Sequence, residues 1–226
     1  MASKAAVTPA TPRTSSDADR GAALMDWFQV NSKVLIGAAI VIAVAAVGYW
    51  FYLKSQQIKV VNAERALNQA EQSLQSGNTA LATSDLQRVT SRYAGTTAGT
   101  QAAMLLAQTD YGAGKYQDGI KSLESVASKA GVSEAAVRGL IGDGYSQMGK
   151  NADAAKSYER AAQVTEFQNE KTYYQAKAAR SFASAGDVAN AKKIWSGLAS
   201  SNKPSAVSAE ARVRLAELDA KPAGKP

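Results

Sequence analysis

The residues able to carry reactive chemistry are few and poorly grouped. The chain has neither cysteine nor histidine. Cys/His zinc sites, Ser-His-Asp triads, Cys-His dyads and a disulfide framework are therefore excluded within it. General acid–base work is left to carboxylates, and the spaced ones are Glu64 with Glu71, and Asp143. Such work needs a desolvated pair, and nothing in the neighbouring sequence marks one. A GxGxxG fingerprint, a P-loop and an EF-hand spacing are all absent. Gly112-x-Gly114 and Gly142-x-Gly144 fit close helix packing better than a phosphate cradle. These observations predict a non-enzymatic chain that needs no metal or cofactor and works by binding.

Binding chemistry is better represented. Gln101, Met104, Gln108 and Tyr111, then Asp143 and Gln147, then Tyr173, Lys177 and Arg180 recur on three helical segments. Amides hydrogen-bond a peptide backbone, aromatic and thioether groups give apolar contact, and Arg and Lys hold carboxylates. Together they form a candidate concave face for an extended polypeptide. The competing reading is a merely solvated surface.

What must position these residues is a repeat. Gly77, Gly114, Gly149 and Gly186 each end one helical pattern and precede another, at spacings of 37, 35 and 37 residues. The flanking residues echo each other. Leu106, Ala107, Tyr116, Gly119 and Leu123 surround Gly114; Gly142, Tyr145, Ala154 and Tyr158 surround Gly149; Ala179, Phe182, Ala191 and Trp195 surround Gly186. Glycine suits the left-handed turn that closes a helix. Small residues let paired helices approach, and Tyr145, Tyr158, Phe182 and Trp195 are expected to fill the gaps between pairs. The pattern resembles the tetratricopeptide repeat, a helix-turn-helix unit of about 34 residues. It is poorest around Gly77, where Ala82, Leu86 and Val89 fit. A last amphipathic helix after Pro204, with Val207, Ala211, Val213, Leu215 and Leu218, reads as a cap.

Ahead of the repeats, Val34 to Leu53 contains no charged residue and is bracketed by Lys33 and Lys54. Twenty helical residues span about 30 Å, the thickness of a bilayer's hydrocarbon core. Tyr49, Trp50, Phe51 and Tyr52 crowd its end, and Trp27 with Phe28 precedes it, as interfacial anchors do. The run is too long for a signal-peptide core, and Ala43-x-Ala45 lies inside it, so an uncleaved signal anchor is expected. No Gly or Pro interrupts Lys54 to Ser76, so the membrane helix should continue into the first repeat helix and break at a Gly77-Asn78 C-cap pair.

The expected organisation is a disordered tail at 1–25, an interfacial lead-in and transmembrane helix at 26–53, a helical repeat domain at 54–220 and a disordered tail at 221–226. The expected fold class is all-α: one N-terminal transmembrane helix, then a tetratricopeptide-repeat-like right-handed α-solenoid. Net charge is +7, and from Lys54 onward 22 Lys and Arg stand against 16 Asp and Glu. No basic run exceeds Lys192-Lys193, so a nucleic-acid surface is not expected. Charges flanking the span lean slightly towards a cytoplasmic C-terminal domain, but long domains translocate largely regardless of charge.

The whole arrangement resembles the ancillary SecYEG translocon subunit (YfgM-like) family of bacteria. The resemblance rests on Asp26-Trp27-Phe28, Asn31-Ser32-Lys33, the Gly- and Ala-rich span ending Gly48-Tyr49-Trp50, and the repeats. It implies a single-pass inner-membrane protein with a cytoplasmic N-terminus and a periplasmic domain. It also implies protein partners: SecYEG and a membrane-anchored chaperone related to peptidyl-prolyl isomerases. The long Thr/Pro/Ser-containing tail and the basic balance depart from that family. The alternative is an adaptor of another envelope assembly, in secretion, export or division.

Overall fold

The computed structural model describes residues 25–200 and 205–220. The expected disordered tails fall outside the described residues, Met25 apart, as does the Pro204 break. The chain divides into two units, Met1–Gln56 and Gln57–Pro226.

In the first unit, residues 25–30 are helical and Asn31 is a turn. Asn31 Nδ2 donates to the Trp27 carbonyl at 2.9 Å, which also accepts the Asn31 backbone amide at 3.0 Å. Helix α1 (Ser32–Gln75) then begins. Along its apolar stretch Val34, Ile36, Ile40, Val41, Ile42, Val44 and Val47 are all exposed. No polar face exists to meet water, and the stretch is long and apolar enough to cross a membrane.

The second unit takes up α1 from Gln57 and adds α2 (Thr79–Arg92), α3 (Thr97–Gly112), α4 (Tyr116–Ala127), α5 (Glu134–Gln147), α6 (Asn151–Val164), α7 (Gln168–Ser184), α8 (Val188–Ala199) and α9 (Ala206–Ala220). No strand occurs among the described residues. From α2 onward each helix packs on the next, the arrangement of an α-solenoid.

The repeated glycines explain the turns. Gly77, Gly114, Gly149 and Gly186 have φ between +71° and +82°. After each, the next amide donates back to the carbonyl five residues earlier: Asn78 to Ser73, Lys115 to Asp110, Lys150 to Tyr145 and Asp187 to Phe182, all at 2.8–2.9 Å. That is the Schellman closure, and it ties off carbonyls the helix end would leave free. Asn78 does more than expected. Its amide helps to close α1, and its side chain also opens the following helix, Oδ1 accepting from Leu81 N at 3.2 Å. Asp187 does the same for α8 towards Asn190 N. Short polar side chains favour that role because their oxygen reaches the orphan amides of the first turn.

The core is a string of linked clusters. Ala63, Leu67 and Ala70 of α1 meet Leu86, Val89, Ala102 and Leu106. Ala103 and Ala107 meet Ile120, Leu123, Val126, Val137 and Ile141. Ala179, Phe182, Ala191, Trp195, Leu198 and Ala211 close the C-terminal end. Tyr158, Phe182 and Trp195 are buried as expected and Tyr145 is half-buried. In α9, Ala211, Val207, Leu215 and Leu218 face this core, but Val213 is 58% exposed and does not belong to the packed stripe.

Helix α5 carries Gly139, Gly142 and Gly144, and each receives a tyrosine from another helix. A Cβ on Gly139 would lie 2.6 Å from the Tyr174 ring, one on Gly142 2.6 Å from the Tyr158 ring, and one on Gly144 2.4 Å from the Tyr111 hydroxyl. The close packing expected of Gly142-x-Gly144 is thus ring against backbone. Gly112 does not share it, since a Cβ there meets nothing within 4 Å.

Candidate functional site

Two of the tyrosines seated on α5, Tyr111 and Tyr158, frame a groove. Tyr111, from the last turn of α3, lies against both Gly119 and Gly144 and donates its hydroxyl to the Leu140 carbonyl at 3.0 Å. That bond satisfies a polar tip that half-burial would otherwise strand. Tyr116, the first residue of α4, stands beside it with ring centroids 5.9 Å apart. With Asp143, Ser146 and Gln147 of α5, Tyr158 of α6 and Lys177 of α7, these residues line a recess of about 430 Å3.

Asp143 is its electrostatic centre. One carboxylate oxygen, Oδ1, accepts the Tyr158 hydroxyl at 2.6 Å and also a hydrogen bond from Lys177 Nζ. The same ammonium lies 4.7 Å from the Tyr158 ring centroid and 5.4 Å from that of Tyr173. Tyr173 in turn packs edge-on against Tyr174 at 5.2 Å. Burial raises the Tyr158 hydroxyl well above the usual phenol range, and its hydrogen bond to the Asp143 carboxylate adds to that. Tyr111 is raised by burial first and then by Asp143, Asp110 and Glu124. Tyr174 is pushed up to about 12, by burial and then by Glu170. These hydroxyls stay protonated at neutral pH, and those of Tyr111 and Tyr158 serve as hydrogen-bond donors.

The residues expected on one surface divide. Tyr111, Asp143, Gln147 and Lys177 line the groove together, and Tyr173 joins them through its ring. Gln101 and Gln108 are exposed on α3 but do not line it. Met104 is half-buried against the α3–α5 core, because its helical position turns it inward. Arg180 is engaged elsewhere: both its Nε and an η-nitrogen donate to Glu210 of α9, and its guanidinium lies 6.0 Å from the Trp195 ring. That pair holds Glu210 below, and Arg180 above, its ordinary range. Arg180 therefore ties the last helix to α7.

Tyr116, Ser146 and Tyr158 belong to the groove without having been expected there. Tyr158 was legible only as a packing residue, and at 2% exposure it is one. The available signal was its hydroxyl, since a buried tyrosine needs a partner. The groove offers aromatic surface, an amide, hydroxyls and a paired cation and anion. Among the described residues no cluster of three His, Cys, Asp or Glu side chains could hold a metal ion.

A family model for a tetratricopeptide repeat-like domain matches residues 25–141, which takes in the apolar stretch, helices α1 to α4 and much of α5. The chain belongs to this tetratricopeptide repeat-like family. Solved structures agree on the fold. The nearly identical TPR-like repeats of a Podosopora anserina protein assigned as a kinesin light chain superpose with a TM-score of 0.51 at 16% identity, over 69% of this chain and 84% of that one. A point-substituted variant of the same repeats superposes with the same values. No curated protein matches the chain. Tetratricopeptide repeat-like domains are interaction scaffolds whose stacked helices present extended binding surfaces, so the chain's role is protein–protein interaction.

Proposed function

We propose that this is a membrane-anchored tetratricopeptide-repeat-like protein of the bacterial inner membrane. Its repeat domain lies in the periplasm, engages partners at the Sec translocon and assists a membrane-anchored chaperone acting on translocated proteins. The observation that carries the anchor is the 44-residue helix α1, whose apolar stretch has no buried or polar face and runs without interruption into repeat-bearing sequence. The family model's extension across that stretch supports reading anchor and repeats as one functional piece. The translocon and the periplasmic side rest on the sequence resemblance, carried by Asp26-Trp27-Phe28, Asn31-Ser32-Lys33 and Gly48-Tyr49-Trp50.

The partner-binding surface in this reading is the groove of Tyr111, Tyr116, Asp143, Gln147, Tyr158 and Lys177, with Tyr173 at its side. Its mixture of rings, amide and charges suits an extended polypeptide. The proposed boundaries are an anchor within 26–53 and a binding domain within 54–220.

A C-terminal alkaline phosphatase fusion tests the side of the membrane: activity supports the reading, and activity confined to a cytoplasmic reporter overturns it. Purification of the chain in mild detergent should then recover translocon subunits or a chaperone. Recovery of secretion, export or division components instead would establish the adaptor alternative.

A further inference from the structure

The groove contains a cation site that the chain fills with its own side chain. Three helices each contribute one wall. Helix α5 supplies the Asp143 carboxylate, α6 the Tyr158 ring and hydroxyl, and α7 the Tyr173 ring. A carboxylate beside two tyrosine faces, each within about 6 Å of one point, is the arrangement that binds an ammonium or guanidinium. Here that point holds Lys177 Nζ.

Three features separate this from an ordinary surface ion pair. Its acceptor is fixed, because the Tyr158 hydroxyl holds the Asp143 Oδ1 atom at 2.6 Å and Tyr158 is 2% exposed and seated on Gly142. The recess opens onto the groove, with Tyr173 52% exposed and the Asp143 side chain 37% exposed. Moreover, Asp143 Oδ2 accepts no hydrogen bond among the described residues, so the carboxylate keeps unused capacity towards the groove.

We propose that the recess of Asp143, Tyr158 and Tyr173 recognises a lysine or arginine side chain of the bound polypeptide, and that Lys177 is its resident occupant in the free protein. A tethered occupant lowers the apparent affinity for any competitor by the fraction of time the recess stands open. The inference rests on the groove being the partner surface, and it adds that the bound segment is basic at one position.

The test uses the full chain in nanodiscs with 13C-labelled tyrosine rings. The probes are a glycine-flanked pentapeptide with one central lysine and the same peptide with norleucine. Lys177→Met should bind the lysine peptide at least about tenfold more tightly than the wild type, with Tyr158 and Tyr173 signals shifting. The norleucine peptide should shift neither signal. Asp143→Asn should abolish binding in the wild-type and the Lys177→Met background alike. Equal binding of the two peptides, lysine-peptide binding that survives Asp143→Asn, or no gain on removing Lys177 would each overturn the proposal. If Lys177→Met does not fold, the wild-type titration against Asp143→Asn still decides it. Partner recovery that is unchanged by Asp143→Asn would overturn this inference alone. Failure to recover any partner would overturn the broader reading.

Discussion

Substituting alanine for Gly142 and for Gly197 should move stability in opposite directions, although both lie within helices. Helix propensity favours alanine over glycine by about 1 kcal/mol in a helix interior. At Gly197 a Cβ meets nothing within 4 Å, so Gly197→Ala should stabilise by about 0.5–1 kcal/mol. At Gly142 the Cβ would lie 2.6, 2.7 and 2.9 Å from three carbons of the Tyr158 ring, where carbons in contact normally stand about 3.5–4.0 Å apart. The ring cannot swing into solvent, because Tyr158 is 2% exposed and bonded to Asp143 at 2.6 Å. Overpacking costs about 1–3 kcal/mol, and disrupting a hydrogen bond to a charged group costs about 1.5–3 kcal/mol. Set against the propensity gain, Gly142→Ala should destabilise by about 1.5–5 kcal/mol. For a chain of this size that lowers the melting midpoint by at least about 3 °C. Thermal and urea unfolding of the full chain in mild detergent, followed by far-ultraviolet circular dichroism, measures both variants. A Gly142→Ala midpoint at or above the wild type would refute the account of ring against backbone. So would a penalty of the same size in a Tyr158→Ala background, where the clashing ring is gone.

Other expectations follow from the same contacts. Asp143→Ala should destabilise more than Tyr158→Phe, because it strands a buried hydroxyl at about 1–3 kcal/mol whereas the phenylalanine variant removes that hydroxyl; urea midpoints of the two variants decide it. The raised hydroxyls of Tyr111, Tyr158 and Tyr174 keep their protons in the fold after the unfolded chain has begun to lose them near pH 10. Their stabilising contribution is therefore full below about pH 10 and is lost as pH rises through the folded values. Unfolding midpoints between pH 9 and 11.5 should fall, less steeply in Tyr158→Phe, and an unchanged slope would count against the buried hydroxyl. Gly149→Ala places a Cβ at φ +71° and should cost about 1–2 kcal/mol, with Gly149→Asn milder, as thermal melts will show. Val44→Arg puts a charge in the middle of the apolar stretch at about 2.5–3.5 kcal/mol and should reduce the fraction of chain resisting alkaline carbonate extraction.

Much of the architecture was legible in local sequence because its determinants are local. A left-handed turn needs glycine whatever surrounds it, so Gly77, Gly114, Gly149 and Gly186 mark the turns unaided. A helix bearing no charge over twenty residues declares its environment by composition. The repeat follows from the turns plus the spacing of small and large apolar residues.

Which side chains share a groove is a different kind of fact. Asp143, Tyr158 and Lys177 are separated by 15 and 34 residues along the chain when counted from Asp143, and they meet only once α5, α6 and α7 have stacked. Helical period places Tyr111 and Lys177 on comparable faces, but it gave no reason to separate Met104, which faces the core, or Arg180, which is claimed by Glu210 of α9. Gly142 was recognisable as a small residue, yet its partner was not: a notch in a helix can receive another backbone or a ring, and packing alone decides between them. The sequence by itself determined where the chain turns, which stretch is apolar enough to cross a membrane and that the remainder stacks in repeats. Only the tertiary structure decided that a carboxylate, two tyrosine faces and a lysine converge on one point, because that convergence depends on the rotation of each helix against its neighbours and not on any residue's own preference.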